Sequence, residues 1–344
     1  MGEAREAETR RSLISPDDMV EGLLVPRRDA SRYPIPGKLN LALSSAQMAA
    51  ALAVLYAASR ATGILARGGL AVLFAFVMQQ GFCLAHEAVH GKLQHHRSLN
   101  VALGIILFSL FPGSFHFFQV AHLIHHRRNR SDAELEDYVL PTETPWLKKS
   151  LYYLLICGLF WLLIPLTSVA IALLPQRALR IPEPGKEAGA FRRFAQFLNE
   201  LSLARVRRDL LVTMVVWVVA TPLLHLELAA VATCYAAFAF SWASQQYVYH
   251  VRTPRHAVLG ALDLRLWRPL ELLYLHFNYH LTHHLAVWVP WNHLPEIAAE
   301  NPSQGYLVTY LNLWRPPRPI EEAWPSHFQA SGPLPPRNGR GAQS

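Results

Sequence analysis

The chain has 344 residues, of which 52% are hydrophobic and only 16% are charged, and its formal net charge is +8. Soluble domains carry about 25% charged residues, and here the apolar residues come in long blocks, so the composition favours a membrane protein. The positive charge does not indicate nucleic-acid binding, because the Arg and Lys residues flank the apolar blocks, as the positive-inside tendency predicts. Three cysteines inside apolar runs, with no C-x-x-C pair, give neither a disulfide framework nor a thiolate metal site: Cys83, Cys157 and Cys234.

Polar segments bound a long apolar region. Residues 1–38 are charged and proline-containing, with no apolar run typical of a cleaved signal peptide, and they predict a cytoplasmic N-terminal arm. Residues 316–344 are rich in Pro, Gly and Arg and predict a disordered tail. The region between them, 39–315, is predicted to be a single membrane domain.

Within this domain, four apolar segments approach the length of about 20 residues that a bilayer crossing needs. The predicted spans are 41–59, 69–85, 210–224 and 227–242. Segment 101–112 is too short to cross. Segment 151–174 is long enough, but Pro165 is suited to breaking it into a dipping or in-plane element.

The parity of crossings supports this interpretation of 151–174. If it crossed once, the Arg-rich stretch 177–208 would lie outside, against the positive-inside tendency. The last histidine cluster of the chain would also lie on the opposite side from the earlier ones. We therefore expect an all-α integral membrane protein with four transmembrane helices in two hairpins, embedded non-crossing helices, and a histidine-rich cap on the cytoplasmic side.

Three histidine clusters form the strongest signal in the sequence. Their patterns are His86-Glu-Ala-Val-His90, His122-Leu-Ile-His125-His126 and His280-Leu-Thr-His283-His284. On a helix, positions i, i+3 and i+4 share one face, so each cluster directs its imidazoles the same way. Histidines that serve only in packing or hydrogen bonding would not be expected to repeat this spacing three times.

The number of imidazoles predicts more than one metal ion. Eight patterned rings at one membrane face are too many for a single four-coordinate ion and suit two. Neutral imidazole binds Zn, Cu, Fe and Ni, whereas Mg and Ca prefer oxygen ligands. A two-metal site with open positions that can activate O2 leaves iron as the first choice and copper as the second.

Other histidines have weaker positional support. His250 follows Gln246 by one turn at the cytoplasmic end of the last predicted span, where it could complete a ligand set. His276 lies one turn before His280 and is either a ligand or a hydrogen-bond donor to one. His95 and His96 have no matching partner cluster and are interpreted as structural.

Two other classes of protein are considered. His86-Glu-Ala-Val-His90 matches the His-Glu-x-x-His spacing of metalloproteases, but that motif would leave the other two clusters unexplained. A metal transporter or histidine-based receptor would place ligands in mid-span along a path, whereas these ligands gather at the ends of spans.

The three clusters, in this order around two membrane hairpins, resemble the membrane fatty acid desaturase family over about residues 40–312. The flanks agree: Gly91 follows the first cluster, an acidic stretch follows the second, and Asn278-Tyr precedes the third, which runs into Val289-Pro290-Trp291. The resemblance implies a di-iron centre that uses O2 and two electrons to insert a double bond into the acyl chain of a fatty acid or lipid. Relatives with the same clusters are hydroxylases or ketolases of lipids and carotenoids, and this alternative stays open.

The resemblance also implies roles for particular residues. His250 matches an additional metal ligand near the last span, with Gln246 acting there through water. Glu87, Asp132 and Asn278 are expected to orient ligands by hydrogen bonds. The nine expected ligands are His86, His90, His122, His125, His126, His250, His280, His283 and His284. Since the sequence contains no haem-binding or ferredoxin-like cysteine motif, the electrons are expected from an external ferredoxin, rubredoxin or b-type cytochrome.

Overall fold

The structure is a computed structural model that describes residues 31–132, 134–182, 189–298, 302 and 304–320. Most of the predicted N-terminal arm and most of the predicted C-terminal tail lie outside these residues. The described chain is mostly helical, as the sequence predicts, with one parallel pair of two-residue strands, β1 (Tyr138–Val139) and β2 (Arg318–Pro319).

Two long apolar helices form the centre of the molecule. Helix α1 spans Gly37–Arg60 and α2 spans Ile64–Val89, and their buried side chains join one hydrophobic core with those of later helices. Every residue from Gly81 to Val89 is buried, as expected for a helix that is apolar on all sides. The end of α2 that carries His86 is therefore enclosed by protein.

Two shorter helices follow and turn the chain back towards this end of α2. Helix α3 spans Arg97–Ser109, which includes most of the segment predicted to be too short to cross. Helix α4 spans Phe115–Arg128 and carries the second histidine cluster. The side chain of Ser114 accepts a hydrogen bond from the backbone N–H of Phe117 at 3.1 Å and so caps the start of α4.

The segment predicted to dip into the membrane is a bent helix pair. Helix α5 (Pro145–Ile156) and the unit that begins with a 3₁₀ turn at Trp161–Leu163 and continues as α6 (Ile164–Leu173) meet at 64°. The break was predicted at Pro165, but it lies seven residues earlier, at Gly158, whose φ is +85°. Pro165 is instead in the first turn of α6, where its missing N–H costs no helical hydrogen bond.

The remaining long helices are α8 and α9. Helix α7 (Gly189–Glu200) leads into α8 (Leu203–Leu223), and α9 spans Leu228–Val248. Between α8 and α9 the chain reverses at His225, which adopts φ +47°. In the described residues after α9, the short α-helices are α10 (Arg268–Leu273), α11 (His280–Leu285), α12 (Leu294–Ile297) and α13 (Tyr306–Leu313).

Among the described residues, α1 and α2 are long and apolar enough to cross a membrane, and the bent pair adds a third span if it is counted as one. Helices α8 and α9 have 21 residues each but are not among these candidates. The first turns of α8 carry three arginines and an aspartate, and α9 ends in polar residues. The predicted four-span topology therefore stays a prediction.

Candidate metal centre

The structure brings all nine expected imidazoles together at one end of the helices. The last turn of α2 carries His86, and His90 follows directly at its end. Helix α4 supplies three rings from its second half, and α11 supplies three more. His250 comes two residues after the end of α9. Four separate segments thus contribute to one site.

The imidazoles fall into two groups, within each of which one ligand atom from every ring lies within 4.8 Å of the others. The first group is His86, His90, His122, His126 and His283. The second is His125, His250, His280 and His284. The groups are neighbours, since the ring centroids of His126 and His284 are 4.3 Å apart.

Helix geometry divides the two His-x-x-His-His clusters between the groups. In α4 the i, i+4 pair, His122 and His126, joins the first group, while His125 joins the second. In α11 the assignment is reversed: His280 and His284 join the second group and His283 the first. Each of these helices therefore serves both groups.

Distances between ring nitrogens fit ligands around a common ion. In the first group, His122 Nε2 lies 3.0 Å from His90 Nε2 and 2.9 Å from His126 Nε2. In the second, the Nε2 atoms of His250 and His280 are 3.0 Å apart. Two ligands at right angles, each bonded to a metal at about 2.1 Å, have their nitrogens about 3.0 Å apart. The donor sets therefore suit one ion in each group.

Burial keeps these rings in the form that binds metal. It is the main cause that lowers the pKa of His250 and His283 to about 3. Burial, followed by the charges of neighbouring imidazoles, lowers the pKa well below the usual 6.5 at four more positions: His122, His126, His280 and His284. Neutral imidazoles offer a lone pair to a metal without first losing a proton.

Buried nitrogens without hydrogen bonds also fit metal binding. Within the described part of the chain, His86 Nε2 and His284 Nε2 are buried and have no hydrogen-bond partner. Native proteins leave few buried polar atoms unpaired, and the binding of an ion is one recognised explanation for such an atom. These two atoms belong to rings of the first and second groups, respectively.

Two contacts fix rings of the second group. His125 Nδ1 donates to Glu134 Oε2 at 2.7 Å, and His250 Nδ1 donates to the Gly260 carbonyl at 2.7 Å. A ring that donates from Nδ1 keeps its lone pair on Nε2, so each contact selects the tautomer and the orientation suited to a ligand.

Glu134 was not among the residues selected from the sequence, although it lies in the acidic stretch after the second cluster. Asp132, which was expected to orient a ligand, is exposed and pairs instead with Arg255. Glu134 is buried beside His125. Glu134 lies eight residues after His126, and this spacing identifies it as a partner of His125 only when the turn between them is known.

The other residues expected to orient ligands have different surroundings. Glu87 Oε2 accepts from the backbone N–H of Trp291 at 3.2 Å, while its Oε1 is 3.9 Å from His86 Nδ1, beyond hydrogen-bonding distance. Asn278 donates to the Leu264 carbonyl at 2.9 Å. Gln246 lines the cavity beside the second group.

The remaining histidines near the clusters lie outside both groups. His276 Nδ1 is 3.3 Å from the Trp291 carbonyl, and its Nε2 is 3.7 Å from Glu271 Oε1. Burial lowers the pKa of His276. His95 and His96 are exposed.

Two carboxylates that were not selected from the sequence, the buried Asp209 and the half-buried Asp263, hold the histidine helices in place. Asp209 in α8 accepts from Ser114 Oγ at 3.0 Å and from the His116 N–H at 2.8 Å, both at the start of α4. Asp263 accepts from the Thr282 N–H at 3.0 Å and from its Oγ1 at 2.6 Å, at the start of α11. Burial raises the pKa of Asp263. Asp209 directly precedes the apolar run that begins at Leu210, and an acid at this boundary is the signal that could have drawn attention to it.

A cavity with mostly aromatic walls reaches the histidines. It touches His122, His125, His250 and His280. Its apolar walls include Phe82, Phe108, Phe111, Phe118 and Trp242. These aromatic rings are packed on one another; Phe111 and Trp242, for example, have centroids 5.2 Å apart. A cavity with this lining suits an apolar ligand, one part of which would lie beside the imidazoles.

Comparison with known proteins agrees with this site. A family model described as Fatty acid desaturase matches residues 62–313, more than half of the chain. No curated protein matches the chain. The family and the histidine groups together fit a di-iron oxidoreductase that acts on fatty acids, and the apolar helices fit a membrane protein. The resemblance predicted from the three histidine clusters is therefore confirmed, and the chain belongs to the fatty acid desaturase family.

Proposed function

We propose that the protein is a membrane di-iron oxidoreductase that uses O2 and two external electrons to insert a double bond into the acyl chain of a fatty acid or lipid. The observation that carries this proposal is the contact between the aromatic cavity and the histidines. Four of the nine imidazoles line a cavity whose other walls are mainly apolar. An apolar substrate in this cavity would lie directly beside the metal ligands.

The nine histidines would hold one iron in each group. His86, His90, His122, His126 and His283 would bind the first, and His125, His250, His280 and His284 the second. When bound, the iron pair supplies O2 activation and the oxidising power to remove hydrogen from an unactivated chain. The overall reaction removes two hydrogens from the chain and takes up two electrons and two protons. These reduce O2 to two waters.

The protein's own residues support this chemistry in three ways. Glu134 and the Gly260 carbonyl hold His125 and His250 in the tautomer that leaves Nε2 as the ligand atom. Aromatic side chains around the cavity exclude water from the place where hydrogen is removed. The same walls fix which carbon of the chain lies beside the histidines.

We also propose that the membrane domain has four spans in two hairpins, with the bent pair α5–α6 embedded but not crossing. This topology keeps the Arg-rich stretch 177–208 and all three histidine clusters on the cytoplasmic side. An external ferredoxin, rubredoxin or b-type cytochrome would then deliver electrons from the cytoplasm.

Lipid profiling of a bacterial host that expresses the chain tests the reaction. We expect a new double bond in the host's acyl lipids with the wild-type chain. The bond should be absent with His125→Ala or His283→Ala and retained with the control His95→Ala, because His95 is exposed and lies outside both groups. A new hydroxyl or keto group in place of the double bond would establish the alternative reaction.

Metal analysis of the purified protein provides a second test. We expect about two irons per chain, in line with the two donor groups. One zinc and no iron would contradict the di-iron proposal, and full activity of His283→Ala would remove that residue from the site.

A further inference from the structure

Two cavities meet beside the second histidine group. The inner cavity is the one that touches the histidines, and the outer cavity is lined by Leu155, Phe160 and Thr167 of the bent pair. The cavities share five lining residues: Phe117, Glu136, Trp161, Ile164 and Tyr247. A chain that occupied the outer cavity would therefore need to pass only these shared residues to reach the imidazoles.

The bent pair, which forms much of the lining of the outer cavity, has a strongly apolar exposed surface. It exposes large apolar side chains, among them Phe160 at 40%, Leu166 at 68% and Leu173 at 80% of their surface. Water-exposed surfaces rarely carry apolar patches of this extent. In a membrane protein such a face is covered by lipid hydrocarbon, so the molecules adjacent to the outer cavity are the acyl chains of the bilayer.

The bend that forms this cavity is fixed by close packing on α9. Gly158 adopts φ +85°, and a Cβ at this position would lie 2.3 Å from the Ala239 carbonyl oxygen. Only glycine allows both this conformation and this approach. One turn further along α9, the Trp161 ring packs on Trp242 with centroids 4.3 Å apart and ring planes at 82°. Trp161 is thereby held at the boundary between the two cavities.

We propose that the substrate chain reaches the histidines sideways from the bilayer, through the outer cavity and past Trp161. The substrate is then the acyl chain of a membrane-resident lipid, and Trp161 determines which chains can pass. The identity of the reaction rests on the proposed function, but the route rests on the cavities and on the apolar surface around them. A soluble acyl carrier would instead present the chain from the aqueous side.

Photolabelling tests the route without requiring turnover. The iron-loaded full chain would be placed in phosphatidylcholine discs containing a phosphatidylcholine with a mid-chain diazirine, irradiated, and mapped by mass spectrometry. We expect label on the outer-cavity residues and on the inner-cavity walls, such as Trp242. Label in the inner cavity from a water-added acyl-CoA diazirine, with none from the lipid probe, would overturn the proposal.

A blocking variant with a matched control sharpens this test. Thr167→Trp places a large ring at the outer cavity, whereas Val169→Trp adds the same ring to the exposed apolar face of the same helix. We expect Thr167→Trp to reduce inner-cavity labelling about tenfold, because the added ring must be displaced before a chain can pass. Val169→Trp should label as the wild type does. Equal inner-cavity labelling in the two variants, at unchanged iron content, would overturn the route.

A matched pair of variants tests the role of Trp161. Trp146→Ala removes an exposed tryptophan from α5, whereas Trp161→Ala widens the shared wall. A single methyl group in an apolar passage can change discrimination about tenfold. We therefore expect Trp161→Ala to raise the conversion ratio of methyl-branched to straight acyl chains about tenfold, with Trp146→Ala unchanged. An unchanged ratio in Trp161→Ala would remove this residue as a determinant of specificity.

The two proposals fail in different ways. If the labelling pattern is as expected and no variant or wild type forms an oxidised lipid, the proposed reaction is contradicted and the lateral route stands. If oxidised lipid forms and Thr167→Trp labels like Val169→Trp, the reaction stands and the lateral route is overturned.

Discussion

His125 Nδ1 donates a hydrogen bond to Glu134 Oε2 across 2.7 Å, and this carboxylate is buried whereas Asp132, two residues earlier, is exposed. Loss of such a carboxylate partner lowers metal affinity about 10- to 100-fold in other histidine sites. Loss of the Glu134 carboxylate should therefore lower metal affinity only in the second histidine group.

We expect Glu134→Ala to lower the iron content from about two to about one per chain when the protein is equilibrated with a competing chelator. Glu134→Gln, whose amide oxygen can still accept from Nδ1, should lie between Glu134→Ala and the wild type. Asp132→Asn is the control and should retain both irons, because Asp132 pairs with Arg255 outside the site. Equal iron retention in Glu134→Ala and Asp132→Asn would contradict the role of Glu134.

The start of α11 offers a stability test. Asp263→Ala removes the acceptor of two hydrogen bonds from Thr282, and loss of such a helix-capping interaction costs about 1–2 kcal/mol. Thr282→Val removes the hydroxyl but keeps the backbone N–H bond, so its loss should be smaller. Thermal unfolding of the iron-free protein measures both changes. A larger loss for Thr282→Val than for Asp263→Ala would show that Asp263 does not hold α11.

Gly260 provides a steric test of the support around His250. A Cβ at Gly260 would lie 2.4 Å from the His256 carbonyl oxygen, so Gly260→Ala must move the backbone whose carbonyl holds His250. We expect a loss of about 1–3 kcal/mol in stability, together with loss of iron from the second group.

Gly305→Ala is the matched control, because a Cβ there would meet no atom within 4 Å. Its thermal midpoint and iron content should equal those of the wild type. Iron retention in Gly260→Ala, measured at the same chelator concentration, would indicate that the Gly260 carbonyl does not position His250.

The iron-free protein should become less stable in acid. Burial lowers the pKa of His250 and His283 to about 3 in the folded protein, whereas an unfolded histidine has a pKa of about 6.5. Between these values the unfolded chain binds more protons, so stability present above pH 6.5 is lost as the pH falls towards 3. Each such ring lowers the free energy of unfolding by about 1 kcal/mol for each pH unit of acidification in this range.

Thermal unfolding of the iron-free protein at about pH 7.5 and about pH 5.5 measures this dependence. His284→Ala should weaken it, because one of the rings with a lowered pKa is removed. A midpoint that is equal or higher at the lower pH would contradict the expected titration.

Much of the site was predictable because its ligands repeat a spacing that packing alone does not require. All nine expected rings lie in the two groups, whereas the exposed His95 and His96 lie in neither. The division of the rings between the groups was not predictable. It depends on how α4 and α11 face each other, and one-dimensional spacing contains no information about that packing.

The sequence pattern also could not predict two local features, the acid that faces His125 and the position of the bend in the segment 151–174. Asp132 and Glu134 are equally plausible from their positions, and a turn with Arg130 at φ +62° decides which of them faces His125. The bend in the segment 151–174 falls at Gly158, because only that residue can approach the α9 backbone at Ala239. Pro165 fits without strain at the start of a helix.

The crossed assignment of α4 and α11 has a consequence for the order in which the site is assembled. A chain synthesised as far as residue 250 already contains four of the five donors of the first group, but only His125 and His250 of the second. Docking of the six-residue helix α11 then completes both groups at once. A change that displaces α11 should therefore remove one donor from the first group and two of the four from the second, whereas a change at the end of α2 removes donors from the first group alone.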